Sequence, residues 1–164
     1  MADSLLTNKL CSASARGDLA GVKLLLQGGA NVNGFNEFNR TALQVVMLGS
    51  TAVAKALLEV GANPNIRDPA CSLTVMHDAA REGFVDTVRV LMDHGANINL
   101  VDKNGNLPLH LAAREGQLQV VRLLIGYTAN PQAVNGQGYT AAQLAHRHSR
   151  IETATYIHQY LSSN

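Results

Sequence analysis

Asp78 and Arg81 are two oppositely charged side chains whose spacing lets them act together. Three residues apart on a helix they share a face, and a carboxylate and a guanidinium can form two parallel charge-assisted hydrogen bonds. Five of the six histidines invite a different question. His77 and His110 recur in the same local phrase, where an imidazole bonded to backbone is the expected arrangement. His146, His148 and His158 could suggest a metal, but residues two apart on a helix face different ways. No cysteine or carboxylate completes a set, so solvated surface residues are the better reading. Cys11 and Cys71 lie far apart and form no CxxC pair, which disfavours a disulfide framework or a zinc site. A phosphate-cradling glycine loop and a nucleophile elbow are both lacking. The residues point to binding, with no metal and no cofactor, rather than to catalysis.

The chain has the length of one domain, 164 residues, and its 46% hydrophobic content is enough for a core. Thirteen basic and twelve acidic side chains leave a charge of +1, which argues against a nucleic-acid or anionic-membrane partner held by bulk electrostatics. Aromatics at 4% and the lack of tryptophan disfavour stacking on single strands. The first fifteen residues carry Asp3 and Lys9 and lack a signal-like apolar run, and no stretch has the ~18 apolar residues of a membrane span. The expected location is cytoplasm and nucleus.

An internal repeat must position these residues. Gly29-Ala30-Asn31-Val32-Asn33 returns at Gly61, at Gly95 and more weakly at Thr128, in steps of 32, 34 and 33 residues. Thr41-Ala42-Leu43-Gln44 returns at Thr74, Leu107 and Thr140 in steps of 33. A glycine closing the first helix recurs at Gly17, Gly49, Gly83 and Gly116, with Ser149 in the fifth slot. This is the ankyrin period with its Thr-Pro-Leu-His-x-Ala phrase. The expected fold is all-α with short β-hairpin loops: an ankyrin-repeat solenoid of five stacked repeats forming a single domain over 1–164. The repeats run at about 4–33, 36–65, 69–98, 102–131 and 135–161. One unit cannot bury its own apolar faces, so neighbours must stack. At the turn tip of each unit stand Asn39, Ser72, Gly105 and Gly138, of which Ser72 is the poor fit to a left-handed backbone.

The second unit breaks the rule. Thr41 to Gly49 is eight residues where the other units have nine, and bulky Val45, Val46 and Met47 replace the usual alanines. A single tight turn is expected in place of the helix. Apolar residues exposed on the groove side would form a docking surface. Asp78 also departs from the pattern, since Leu111 holds its slot one unit later. Both a structural bond to Arg81 and a partner contact would account for it.

His77-Asp78-Ala79-Ala80-Arg81-Glu82-Gly83-Phe84-Val85-Asp86-Thr87, preceded by Asp68-Pro69-Ala70, resembles the third repeat of the inhibitor-of-kinase-4 family. Thr41 to Ser50 is similar to that family's degenerate second repeat, and the similarity runs from about Ala13 to Tyr160. The resemblance implies a non-enzymatic, monomeric inhibitor of cyclin-dependent kinases 4 and 6 that distorts the kinase lobes, blocks cyclin D activation and restrains the G1/S step. It implies that Asp78 pairs with a kinase arginine, that Arg81 orients this acid, and that Asp68 and Asp86 add matching charge. Asn36, Phe38, Gln44, Val45, Val46 and Met47 would form the second-repeat contact surface. A generic ankyrin scaffold or transcription-factor adaptor would use the same groove with different side chains.

Overall fold

In the computed structural model, which describes residues 2–163, two rows of short antiparallel helices lie side by side. Helices α1 (Ala2–Arg16) and α2 (Leu19–Gln27) form the first pair. Helix α3 (Thr51–Glu59) follows an irregular turn, and the pairs α4 (Val75–Glu82)/α5 (Val85–Asp93), α6 (Pro108–Arg114)/α7 (Leu118–Leu124) and α8 (Ala141–Arg147)/α9 (Ile151–Ser163) complete the array. Helices α4, α6 and α8 pack in one row; α2, α3, α5, α7 and α9 pack in the other. Ala79, Ala80, Ala112, Ala113, Ala141 and Ala145 keep the first row slim, while Val53, Leu57, Val88, Leu91, Val121 and Leu124 fill the space beneath the second. In the fourth unit α7 stops at Leu124, and Ile125–Tyr127 tightens into a 3-10 turn.

The loops between pairs are tight turns. Each is closed by two backbone bonds, such as Asp102 N to the Asn106 carbonyl at 2.9 Å and Gly105 N to the Asp102 carbonyl at 3.0 Å, and no strand ladder forms among the described residues. The four tip residues all take positive φ, including Ser72 at 58°. Its strain is tolerated because Asp68 Oδ1 accepts from the amides of Ala70 and Cys71 and holds the longer turn in place.

Side chains stitch each pair to the next. His77 Nδ1 accepts from Thr74 N, so its proton sits on Nε2, which donates to the Asn106 carbonyl at 2.9 Å. His110 repeats the arrangement between Leu107 N and the Ala133 carbonyl. Both histidines are therefore structural. Asparagines do the same work at the opposite edge. Asn33 donates to the Gly61 carbonyl and accepts from Asn63 N, and Asn65 does likewise with Gly95 and Asn97.

The second unit begins as a helix and fails. Thr41 and Gln44 form a reciprocal cap, and Val45 N reaches the Thr41 carbonyl at 3.2 Å. Val46 N then shifts to Leu43, and Met47 N leaves the segment altogether for the Ser14 carbonyl of α1 at 3.0 Å. With no helix to terminate, Gly49 has no positive φ, unlike Gly17, Gly83 and Gly116. Its lack of a side chain serves another need, because a Cβ there would meet the Phe84 ring at 3.3 Å. At the far end of the array a hollow remains, lined by Tyr139, Ala142, Gln143, His146, Arg147 and His158.

Backbone amides of Gln44 to Leu48 are expected to exchange with solvent much faster than those of Leu118 to Leu124, because only the latter lie in a continuous helical ladder. Hydrogen-exchange NMR reporting equal protection would contradict this. Burial holds the imidazoles of His77 and His110 below the ordinary 6.5, against smaller opposing effects of their backbone bonds and Asp102. Both stay neutral in the folded chain while the unfolded chain takes up protons. Stability is thus full above pH 6.5 and is lost as pH falls from there toward the lower folded values. Urea unfolding between pH 7.5 and 5.5 should show that decline, with a shallower slope in His77→Gln.

Candidate binding surface

Helix α4 turns two different faces to its surroundings. Val75, Met76, His77, Ala79 and Ala80 are buried, and Asp78, Arg81 and Glu82 lie on the other side. Where α6 puts Leu111, 3% exposed, α4 puts a carboxylate whose side chain is 30% exposed. Arg81 Nη2 donates to Asp78 Oδ1 at 3.0 Å, and Arg81 Nε lies 3.5 Å from Glu82. The Arg81 carbonyl is capped by Gln117 Nε2 of the next unit, which pins the end of the helix. Asp78 uses one oxygen for Arg81, leaving the other open. Both readings of this acid, a bond to Arg81 and a free face for a partner, are thus compatible.

Burial raises the Asp78 carboxyl above the usual carboxylate value, outweighing the favourable Arg81 charge and hydrogen bond, and the negative charges of Asp68 and Glu82 push it the same way. The ionised form is held in place at a cost to the folded chain.

Asp68, Asp78 and Gln44 converge on a cavity of about 40 Å³ at the joint between the second and third units, whose other walls are Arg40, Leu73 and Val75. Arg40 was not among the residues singled out from sequence; it precedes the Thr41 phrase in the turn, and its type alone carries no signal. Asn36, Phe38 and Val45 meet in a second, shallower hollow against Asn8, Cys11, Ser12 and Ala15 of α1. Phe38 is 72% exposed at the turn tip. Met47 is exposed and lies against Gly17.

Three of the expected contact residues are placed differently from the others. Val46 is 5% exposed and packs in the core, because the abortive turn points it inward, so it offers no surface. Asn36 spends its side-chain oxygen on the amides of Phe38 and Arg40, leaving only its amide group free. Asp86 stands apart from the cavity in the first turn of α5, 79% exposed and 3.6 Å from Arg89. Cys11 is buried and its thiol is pushed up to about 11 by desolvation, which makes it inert; Cys71 is exposed. Among the described residues no three potential metal ligands come together, and no helix is long and apolar enough to cross a membrane.

Slim and thick helix rows, turns tied by imidazoles and a 33-residue clock define an ankyrin-repeat protein, and the family profile of ankyrin repeats (three copies) matches residues 45–135 and 76–163. Over 100 residues the chain is 51% identical to cyclin-dependent kinase 4 inhibitor B of Homo sapiens, covering 61% of this chain and 72% of that protein. Its similarity to the Rattus norvegicus protein of the same name is 48%, covering 61% and 77%, and to cyclin-dependent kinase inhibitor 2A of Homo sapiens 47%, covering 61% and 64%. The chain belongs to the inhibitor-of-kinase-4 family of ankyrin-repeat proteins.

Because the Asp78 carboxylate is destabilised by burial, Asp78→Asn should leave the free protein as stable as the parent or more so at pH 7. A raised folded pKa means the folded chain binds the extra proton first, so the parent regains the difference as pH falls through that value toward the unfolded one. Thermal melts of the two proteins at pH 7 and pH 4 check this; a large loss of stability at pH 7 would contradict it.

Proposed function

We propose that this chain is a non-enzymatic inhibitor that binds cyclin-dependent kinases 4 and 6 as a monomer, through the surface around Asp78 and the unwound second unit. The observation that carries the proposal is the half-buried, partly open carboxylate on α4 where the next two units place leucine, Leu111 and Leu144. Nothing in the stacking of the array requires that acid, and its ionised form is a burden on the free protein. A guanidinium of the partner would take the open oxygen, with Arg81 holding the other and Asp68 adding charge. Phe38 would anchor on an apolar patch, beside Val45 and the exposed Met47.

Inhibition then follows from differential affinity. An inhibitor that binds a kinase with misaligned lobes better than the active form shifts the population toward it, to an extent set by that preference. Cyclin D engagement would suffer, and passage from G1 to S would be restrained. Such a protein would act in cytoplasm and nucleus, as one five-repeat domain with no cofactor.

Mixing the purified chain with isolated kinase should give a one-to-one complex without cyclin. Asp78→Asn should weaken it by more than ~1.5 kcal/mol, or over about tenfold in Kd, with unchanged circular dichroism. No complex with the parent chain would redirect the assignment to an ankyrin scaffold or transcription-factor adaptor.

A further inference from the structure

Gln44 stands in the slot that His77 holds one unit later, and at their near ends the two side chains do the same work. Thr41 N donates to Gln44 Oε1 at 2.8 Å, and Thr74 N donates to His77 Nδ1 at 3.2 Å. The far ends differ. His77 Nε2 reaches the carbonyl of Asn106, 29 residues on. The carbonyl 29 residues after Gln44 belongs to Leu73, which accepts from Asp68 N as Asn106 accepts from Asp102 N. Gln44 Nε2 makes no such bond. It is the one buried side-chain nitrogen or oxygen without a hydrogen-bond partner among the described residues.

A buried donor left unpaired is costly, and Gln44 lines the cavity of about 40 Å³ together with Leu73, Asp68, Asp78 and Arg40. The cavity is polar on several sides and exceeds the roughly 10–15 Å³ that one water requires. The occupant must accept from an amide and donate to oxygens. A guanidinium or ammonium has no acceptor for the Gln44 hydrogen, and a metal ion would face that hydrogen directly. Water alone meets both demands in that volume.

We propose that one ordered water occupies this cavity, accepting from Gln44 Nε2 and donating to the Leu73 carbonyl and to the Asp78 oxygen left open by Arg81. Gln44 is then a positioning residue. It replaces the direct imidazole tie by a water-mediated one at this joint and orients the carboxylate toward the partner. The charged groups facing Asp78 are Arg81 and Glu82 on its own helix and Arg40 and Asp68 from the adjoining turns. Donation from water favours the ionised acid among them. The role of Asp78 toward a kinase rests on the reading given under Proposed function; the water itself does not.

The test is NMR on the full chain labelled in its glutamine side chains. A long-lived water should give a nuclear Overhauser cross-peak to the Gln44 amide hydrogens, and no such cross-peak would overturn the proposal. In Gln44→Met, which lacks the donor, the Asp78 titration followed by carboxyl 13C shift should move upward; an unchanged midpoint would overturn the positioning role. Gln44→His retains the near-end bond and can tie directly to Leu73. It should fold and melt about 2–4 °C higher than the parent; an unchanged or lower melting temperature would count against the assignment. A parent chain that shows the water yet binds no kinase refutes the functional reading and leaves this one standing. Kinase binding without the water does the reverse.

Discussion

The register of the last three units hangs on a buried bond between an imidazole and a carbonyl in the next turn. A short helix pair has too little apolar surface to fold alone, so it must borrow a neighbour's. Hydrophobic contact brings two pairs together but does not set their relative rotation. The imidazole does, because it is pinned at its near nitrogen by its own helix start and offers a single proton at the other. The asparagines at the opposite edge set a second point of attachment. Two fixed points on either side of an apolar layer leave little freedom to twist.

That rule is relaxed between the second and third units, and the polar groups that suit a partner gather there. The helix that should follow Thr41 is diverted when Met47 turns to α1, and the expected imidazole is an amide. Asp78 and Asp68 sit at this joint rather than at the better-tied ones further along. A carboxylate that lowers the stability of the free chain is easier to keep where stacking is already less demanding, and its cost is relieved when a cation arrives. A half-buried acid and a weakened tie therefore share one joint of the array.

Period and phrase made the fold legible. Glycine, asparagine and histidine recur because backbone conformation and inter-unit bonding require them at fixed intervals, so the helix rows and the roles of His77 and His110 follow from spacing alone. The shortened second helix could be read from a count of residues between Thr41 and Gly49. What spacing could not show was direction. Val45, Val46 and Met47 are equally apolar, yet the first is half-buried, the second sits in the core and the third is exposed, since the chain is unwinding as it passes them. Asn36 also braces its turn, which its type alone did not reveal, because a side-chain oxygen two residues before an amide closes a local ring. Arg40 carried no periodic mark and became visible only with the cavity it walls.

The hollow beside α8 and α9 shows how side-chain chemistry alone can change a stacking face. In the fourth unit Ala113 and Ile125 lie buried beneath the following pair; one period later the corresponding positions are His146 and His158, both in water. A further pair docking there would have to strip hydration from two titratable rings, with Arg147 already committed to the face of Tyr139. Wet side chains thus make this face of α8 and α9 a poor bed for stacking, where the same two slots one unit earlier are apolar and closed.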